Sequence, residues 1–280
     1  MELQQSLDQL RKRGLGVAAV SYDSVAVLKN FSERQGITYP LLSDTDSKVI
    51  GSYGLLNESV AKDSPQYGIP YPGTFILDRA GVVAQKYFEA DFRQRYTASE
   101  ILVRQYGGTA GAASQVIETK HLRLTSSASL STVHWGQRLA LVADIELKPG
   151  MHVYAPGVEG YIPIEFKLTA TPAFQEHAPD YPAARKLHLK AIGETVPVFM
   201  GHFRVVEDIT IAPEAQVKPL LTPTGDLVME ATVRYQACDA KICYPPQNVP
   251  LRWTLHYQAL DRQRAPAEMQ RRAAAGHKLP

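Results

Sequence analysis

Near residue 110 the period of the apolar residues changes, and that change narrows the folds open to this chain more than any other feature. Before it, helical spacing alternates with strand-length runs. Leu3, Leu7, Leu10 and Leu15 fall near helical spacing, with Gly14 and Gly16 marking the helix end. GVAAVSYD (16–23) follows as a continuous apolar run, the mark of a strand buried on both faces. Ser24 is placed to cap a helix over VAVLKNFSERQG, with Val25, Leu28 and Phe31 on one side. ITYPLLSD reads as extended and DSKVIGSYGL as a helix opened by Asp46. TFILD and VVAQKYF make a hairpin turned by DRAG, and TASEILVRQYGG is a closing helix capped by Thr97 and stopped by Gly107-Gly108. Past the small, glycine-bearing GGTAGAASQ (107–115), the period falls to two. RLALVADIEL, IEFKLTA, VPVFMGHFRVVEDITI, LVMEATVRYQA and VPLRWTLHYQAL alternate, and Pro, Gly and Asp clusters divide them.

The expectation is two domains. An α/β module occupies 1–108, a linker 109–115, and an all-β sandwich of about seven strands 116–260. A solvated tail without an apolar stripe covers 261–280. A length of 280 residues, 45% hydrophobic and 21% charged, fits two globular cores. With 30 Lys+Arg against 28 Asp+Glu there is no field to recruit nucleic acid or an anionic membrane, so neither is expected as a partner. The longest apolar runs fall far short of the ~20 residues a bilayer requires, so no transmembrane segment is expected. GxSxG, HExxH and P-loop motifs do not occur, and no cofactor is expected. The opening MELQQSLDQLRKRG has no apolar core of a signal peptide, which taken literally points to the cytosol, where structural disulfides are uncommon.

The chain has two cysteines, Cys238 and Cys243, both in YQACDAKICYPPQ. They stand at a strand end, because the prolines after Cys243 cannot donate to a ladder. If DAKI crosses between strands, the two side chains reach disulfide distance. Closing so short a loop is worth roughly 2 kcal/mol, against more than about 4 for a loop of ~100 residues. On geometry and this arithmetic, a structural staple and a redox pair stand level. Zinc would need three or four ligands; CDAKIC has no second cysteine cluster and only Asp239 and His256 to add, so no metal site is expected.

YQACDAKICYPPQNVPLRWTL resembles the cysteine hairpin of the N-terminal periplasmic domain of the thiol:disulfide interchange protein DsbD, a family with a YQ-x-C…CYPP signature. PGMHVYAPG and YPAARKLHLKAIGETVPVFMGHFRV resemble further segments of it, so that the likeness covers about residues 118 to 258. The resemblance implies an immunoglobulin-like sandwich whose cysteine pair exchanges electrons with thioredoxin-like partners outside the cytoplasm. It makes Cys243 the sulfur that attacks or is attacked and Cys238 the resolving one. Lys241 could lower a thiol pKa or be a solvated loop lysine. His152 and Tyr154 fall where the family places aromatic side chains beside the pair, or they are plain packing. The family shields its cysteines with an acidic and aromatic loop; the corresponding HLKAIGE offers Glu194 and no aromatic residue, which leaves shielding of the pair open.

VAAVSYDS, YPLLSD and YPGTFILDRAGVV resemble the later part of an AhpC/TSA peroxiredoxin or thioredoxin-like domain. Pro72 takes the place of a proline that in those domains is commonly cis and faces the active cysteines; otherwise it is an ordinary strand-start proline. The resemblance implies a reactive cysteine opening the helix ELQQSLDQLRKRG and, before it, a strand beside the Pro72 strand in mid-sheet. The first 237 residues contain no cysteine. The expectation is therefore an incomplete thioredoxin-like fold, with Met1 internal to a longer protein that carried a signal peptide. That protein would be periplasmic or otherwise extracytoplasmic. In function, a thiol–disulfide oxidoreductase relaying electrons through Cys238 and Cys243 is expected, in antioxidant or disulfide-maintenance pathways. The rival is a non-enzymatic immunoglobulin-like binding module with a structural disulfide beside a degenerate redoxin scaffold. A third option is peroxidase activity of an intact N-terminal module.

Overall fold

In the computed structural model, which describes residues 2–62, 64, 67–88, 95–106, 112–189, 193–261 and 263–269, the helices of the N-terminal part follow their apolar faces. Leu7 of α1 (Glu2–Lys12) packs with Ile37 and Tyr39, and Phe31 of α2 (Val25–Gln35) closes the same small core. Ser24 caps α2, its hydroxyl accepting from the Val27 amide at 3.4 Å, and Gly36 ends it with φ 62°. A left-handed residue there suits glycine, which has no Cβ to clash. At α3 (Lys48–Ser52) the cap differs from expectation. Asp44, not Asp46, accepts from the amides of Val49 and Ile50 at 3.2 and 2.8 Å, and Asp46 instead pairs with Lys48 in solvent.

Four strands of this unit form two separate pairs. β1 (Ala19–Ser21) runs parallel to β2 (Leu41–Ser43), and β3 (Gly73–Leu77) runs antiparallel to β4 (Val83–Phe88). Among the described residues no ladder joins the pairs. The expectation of a strand buried on both faces over 16–23 is therefore corrected. Three residues pair, and Val20 is 45% exposed because no layer covers that face. Of the two readings left for Pro72, the cis bond is not the one observed, since no described peptide is cis. β5 (Arg95–Tyr96) follows.

The compact units divide at Ala98/Ser99, earlier than the expected boundary at 108, and the described residues after Leu260, namely 261 and 263–269, group with the first unit. Asp261 forms an ion pair with Arg34 and accepts from Gln35 at 2.7 Å, so the start of the expected tail docks on the end of α2. Residues 270–280 lie outside the described residues, as do the Gly107-Gly108 stop and residues 109–111 of the expected linker. From residue 112 the linker is already strand β6 (Ala112–Glu118), paired with β7 (Leu122–Ala128).

The second unit contains the period-two strands. Its first sheet runs β12 (Phe174–Glu176), β15 (His202–Ile211), β9 (Gln137–Leu147), β7, β6. A second runs β11 (Glu165–Leu168), β16 (Asp226–Tyr235), β18 (Gln247–Tyr257), β8 (Thr132–Val133). On β16 and β18 every second residue points inward, and the register sets Leu227 against Leu255, Met229 against Trp253 and Val233 against Val249. They meet Leu139, Leu141, Ile145 and Ile209 of the first sheet in one core, with Trp253 fully buried and Trp135 half-buried at the rim. This is a β-sandwich.

β9 does not alternate, because both its faces are covered. Ala140 and Val142 pack with Val206 and with Val103 of α4 (Ala98–Tyr106). On that outer face Glu100 is 0% exposed, and Arg104 pairs with it at 3.3 Å and with Asp208 at 2.7 Å. Arg138 reaches Asp208 at 3.1 Å. These buried ion pairs place α4 with the sandwich. A third sheet, β13 (Arg185–Leu189), β14 (Glu194–Met200), β10 (His152–Tyr154), β17 (Ala237–Cys238), carries the cysteines and was not expected as a separate layer.

Candidate redox site

Alternation along β10, β14 and β17 creates the site. Val153, Phe199 and Ala237 point into the sandwich core. The residues between them, His152, Tyr154, Val198, Met200 and Cys238, therefore share the opposite face. The register pairs His152 with both Met200 and Cys238, and Tyr154 with Val198. Beyond Cys238 the chain turns through Asp239–Ile242 and returns at Cys243, which bridges back to Cys238.

Cys238 and Cys243 are disulfide-bonded, with Cα atoms 4.0 Å apart. The two sulfur-bearing residues differ sharply in access: Cys238 is 1% exposed and Cys243 lies on the surface. The turn between them is held by Asp239. Its Oδ1 accepts from the Lys241 and Ile242 amides at 2.7 and 2.9 Å, and its Oδ2 accepts from the Tyr244 hydroxyl at 2.8 Å. Those bonds, the Ile242 amide first, hold the Asp239 carboxyl below the usual range. Tyr244 also donates its amide to Ala237 at 2.8 Å and lies over the buried His121 ring, centroids 4.5 Å apart.

Tyr154 approaches the exposed cysteine, its hydroxyl 3.6 Å from Cys243 Sγ. Burial, followed by the Glu194 charge, raises the Tyr154 phenol above its ordinary value, so it stays protonated. Its ring lies against Tyr161, centroids 4.3 Å apart, and Tyr161 donates to Glu194. That bond pushes the Tyr161 phenol up to about 12. His152 meets Tyr154 edge-on at 5.6 Å. Lys241 is exposed at the tip of the turn.

Of the residues singled out in the sequence, the fold brings together Cys238, Cys243, His152, Tyr154 and Lys241; Pro72 lies in the other unit. The loop on which shielding of the pair was left open supplies Glu194, which accepts from Tyr161 and so holds that ring against Tyr154, while Cys243 itself stays exposed; residues 190–192 lie outside the described residues. Tyr161 and Tyr244 were missed, and Asp239 was weighed only as a metal ligand, not as the residue that holds the turn. Asp239 left a signal, since Asp at the head of a four-residue gap is an Asx-turn residue. Tyr161 left none, because nothing in the loop after β10 says that it folds back onto Tyr154. Among the described residues no three His, Cys, Asp or Glu side chains converge as a metal-binding group, and no helix is long and apolar enough to cross a membrane.

The accessible disulfide thus sits on a short hairpin beside the sandwich, and an α/β segment precedes the sandwich in the chain. Two family models account for the two parts. Residues 1–86 match the AhpC/TSA family, and residues 122–251 match the N-terminal domain of thiol:disulfide interchange protein DsbD. The first part is 34% identical over 80 residues to a Coxiella burnetii protein of the bcp peroxiredoxin type, covering 27% of this chain and 50% of that protein. It is 30% identical over 81 residues to peroxiredoxin Bcp of Escherichia coli K12, covering 29% of this chain and 51% of that one. The chain thus spans about half the length of the curated relatives it matches. Among solved structures, the N-terminal periplasmic domain of ScsB from Proteus mirabilis matches at TM-score 0.35 and 12% identity, covering 52% of this chain and 51% of that one. The two family matches support a thiol–disulfide redox role.

Proposed function

We propose that this protein is an extracytoplasmic thiol–disulfide oxidoreductase that relays electrons between Cys238–Cys243 and thioredoxin-like partners. The observation that carries the reading is the asymmetry of the pair: Cys243 is open to solvent with a phenol 3.6 Å from its sulfur, while Cys238 is buried behind it. A partner thiolate attacks Cys243 Sγ. The partner–Cys243 bond forms as the Cys243–Cys238 bond breaks, and the electron pair leaves on Cys238. A second partner thiolate then displaces Cys243, so the partner dithiol is oxidised and this pair reduced. Tyr154 is placed to donate a hydrogen bond to the Cys243 sulfur as it gains charge. The family match over 122–251 and a close disulfide in the chain both favour an oxidising compartment. The immunoglobulin-like description of the sandwich, and service in antioxidant or disulfide-maintenance pathways, belong to the same proposal.

The test is the reduction potential of the couple in the full chain, equilibrated in graded thiol buffers with free thiols trapped. A value above about −300 mV supports the relay; one well below it, in the range of structural bridges, overturns it.

A further inference from the structure

We propose that His152 is the proton acceptor for Cys238 when that buried thiol resolves a mixed disulfide. The inference rests on the redox reading of the pair and assigns its second sulfur a base.

Resolution has a specific physical problem here. Cys238 is 1% exposed, so water and buffer bases reach its thiol poorly, yet only the thiolate attacks a disulfide. A local acceptor is required. His152 is the cross-strand partner of Cys238 on β10 and β17, and such partners carry their Cβ atoms about 5 Å apart on one face. The ring is 4% exposed, and its buried Nε2 has no hydrogen-bond partner. A buried nitrogen without a partner costs free energy that ordinary packing would avoid by choosing an apolar residue. Its neighbours leave it free to take a proton. β14 faces it with Met200, Tyr154 meets it edge-on from its own strand, and β17 presents Cys238 followed by Asp239. Burial holds the imidazole below its ordinary value and the Asp239 charge opposes this, so at neutral pH the ring is neutral and able to accept.

The step balances. With a mixed disulfide on Cys243, the Cys238 thiol gives its proton to His152, and the thiolate attacks Cys243 Sγ. The Cys238–Cys243 bond forms, and the partner leaves as a thiolate. The imidazolium then releases its proton to the departing group or to water.

The reduced full-length chain, mixed with the aromatic disulfide dithionitrobenzoate, separates the two thiols in time. Cys243 attacks the reagent and releases one thionitrobenzoate; Cys238 then resolves the mixed disulfide and releases the second. His152→Phe, which keeps the edge-on ring, and His152→Gln, which keeps a polar side chain, should leave the first phase unchanged. Near pH 7 both should slow the second phase by about a hundredfold or more, the low end of general-base effects. The loss should shrink as pH rises past the ordinary thiol pKa of about 8.5, where the thiolate forms unaided. A second phase equally fast in wild type and both variants overturns the proposal. So does slowing of both phases in the same proportion at every pH, the mark of a packing role. A wild-type potential below the working range would instead remove the relay reading, independently of how the two phases compare.

Discussion

Reduction of the disulfide is a perturbation whose size follows from the chain, because no other cysteine responds to the reductant. The bonded residues are 5 apart in sequence, and closing a loop that short removes chain entropy worth about 2 kcal/mol at 25 °C. The native turn does not depend on the bond alone. Asp239 still holds the Lys241 and Ile242 amides and the Tyr244 hydroxyl, and Tyr244 still donates to Ala237. Reduction should therefore leave the sandwich folded and lower its stability by about 2 kcal/mol, or about 4–8 °C in Tm for a unit of this size. Both tryptophans, Trp135 and Trp253, lie in that unit, so urea unfolding followed by their fluorescence reports it selectively. By linkage the fold must stabilise the disulfide to the same extent. The folded couple should then be about 40 mV more reducing than the couple in the urea-unfolded chain. A loss above about 4 kcal/mol, or unfolding on reduction, would refute the loop argument and make the bridge a staple.

Tyr154→Phe keeps the ring against Tyr161 and His152 and removes only the hydroxyl, so reduction by a dithiol should slow about tenfold, the worth of one hydrogen bond to a charged group. Urea midpoints should barely move. Asp239→Ala should destabilise the reduced protein more than the oxidised one, seen by comparing the two unfolding curves, because only the reduced turn relies wholly on its hydrogen bonds. Burial, with the charges of Glu176 and Asp208, pushes Glu207 up to about 7 from 4.5. The folded state thus holds that proton more tightly than the unfolded one, a contribution present below pH 4.5 and lost as pH rises to about 7. Glu207→Gln should abolish a fall of up to roughly 3 kcal/mol across that window; an unchanged pH profile of urea stability would count against it. Trp253 is fully buried with no partner for Nε1, so Trp253→Ala should cost about 3–5 kcal/mol but Trp253→Phe markedly less, since it removes an unsatisfied donor.

What was legible in the sequence is what local period encodes. LVMEATVRY and QNVPLRWTLHY alternate cleanly, and the fold pairs them residue against residue in the sandwich core. The same logic fails wherever a distant element adds a second covered face. β9 is buried almost throughout because α4 lies on its outer side, and no feature within RLALVADIEL announces a helix from forty residues earlier in the chain. Nor does a helix declare its dock. TASEILVRQY has the caps and apolar face of a closing helix in either module, and the choice falls on Glu100 and Arg104, whose ion pairs lie with Asp208. At α3 the run Asp44–Ser47 contains several capping side chains, and spacing alone could not prefer Asp44 over Asp46.

The cysteine pair shows the same division one level deeper. Two cysteines five apart before Tyr-Pro-Pro allow a bridged hairpin, but do not say which sulfur faces solvent. That is decided by the third sheet. Ala237 follows the inward phase, so Cys238 takes the opposite face, where β10 covers it with His152 and Tyr154; Cys243 lies past the turn and beyond the ladder. A staple has no use for such a difference, since both sulfurs of a bridge do the same work in the native state. Thiol–disulfide exchange does use it, because one sulfur must meet a partner while the other must wait within reach. The difference in burial between Cys238 and Cys243 is thus a stronger argument for redox work than the bond itself, and it depends on residues 152–154, more than eighty positions away in the chain.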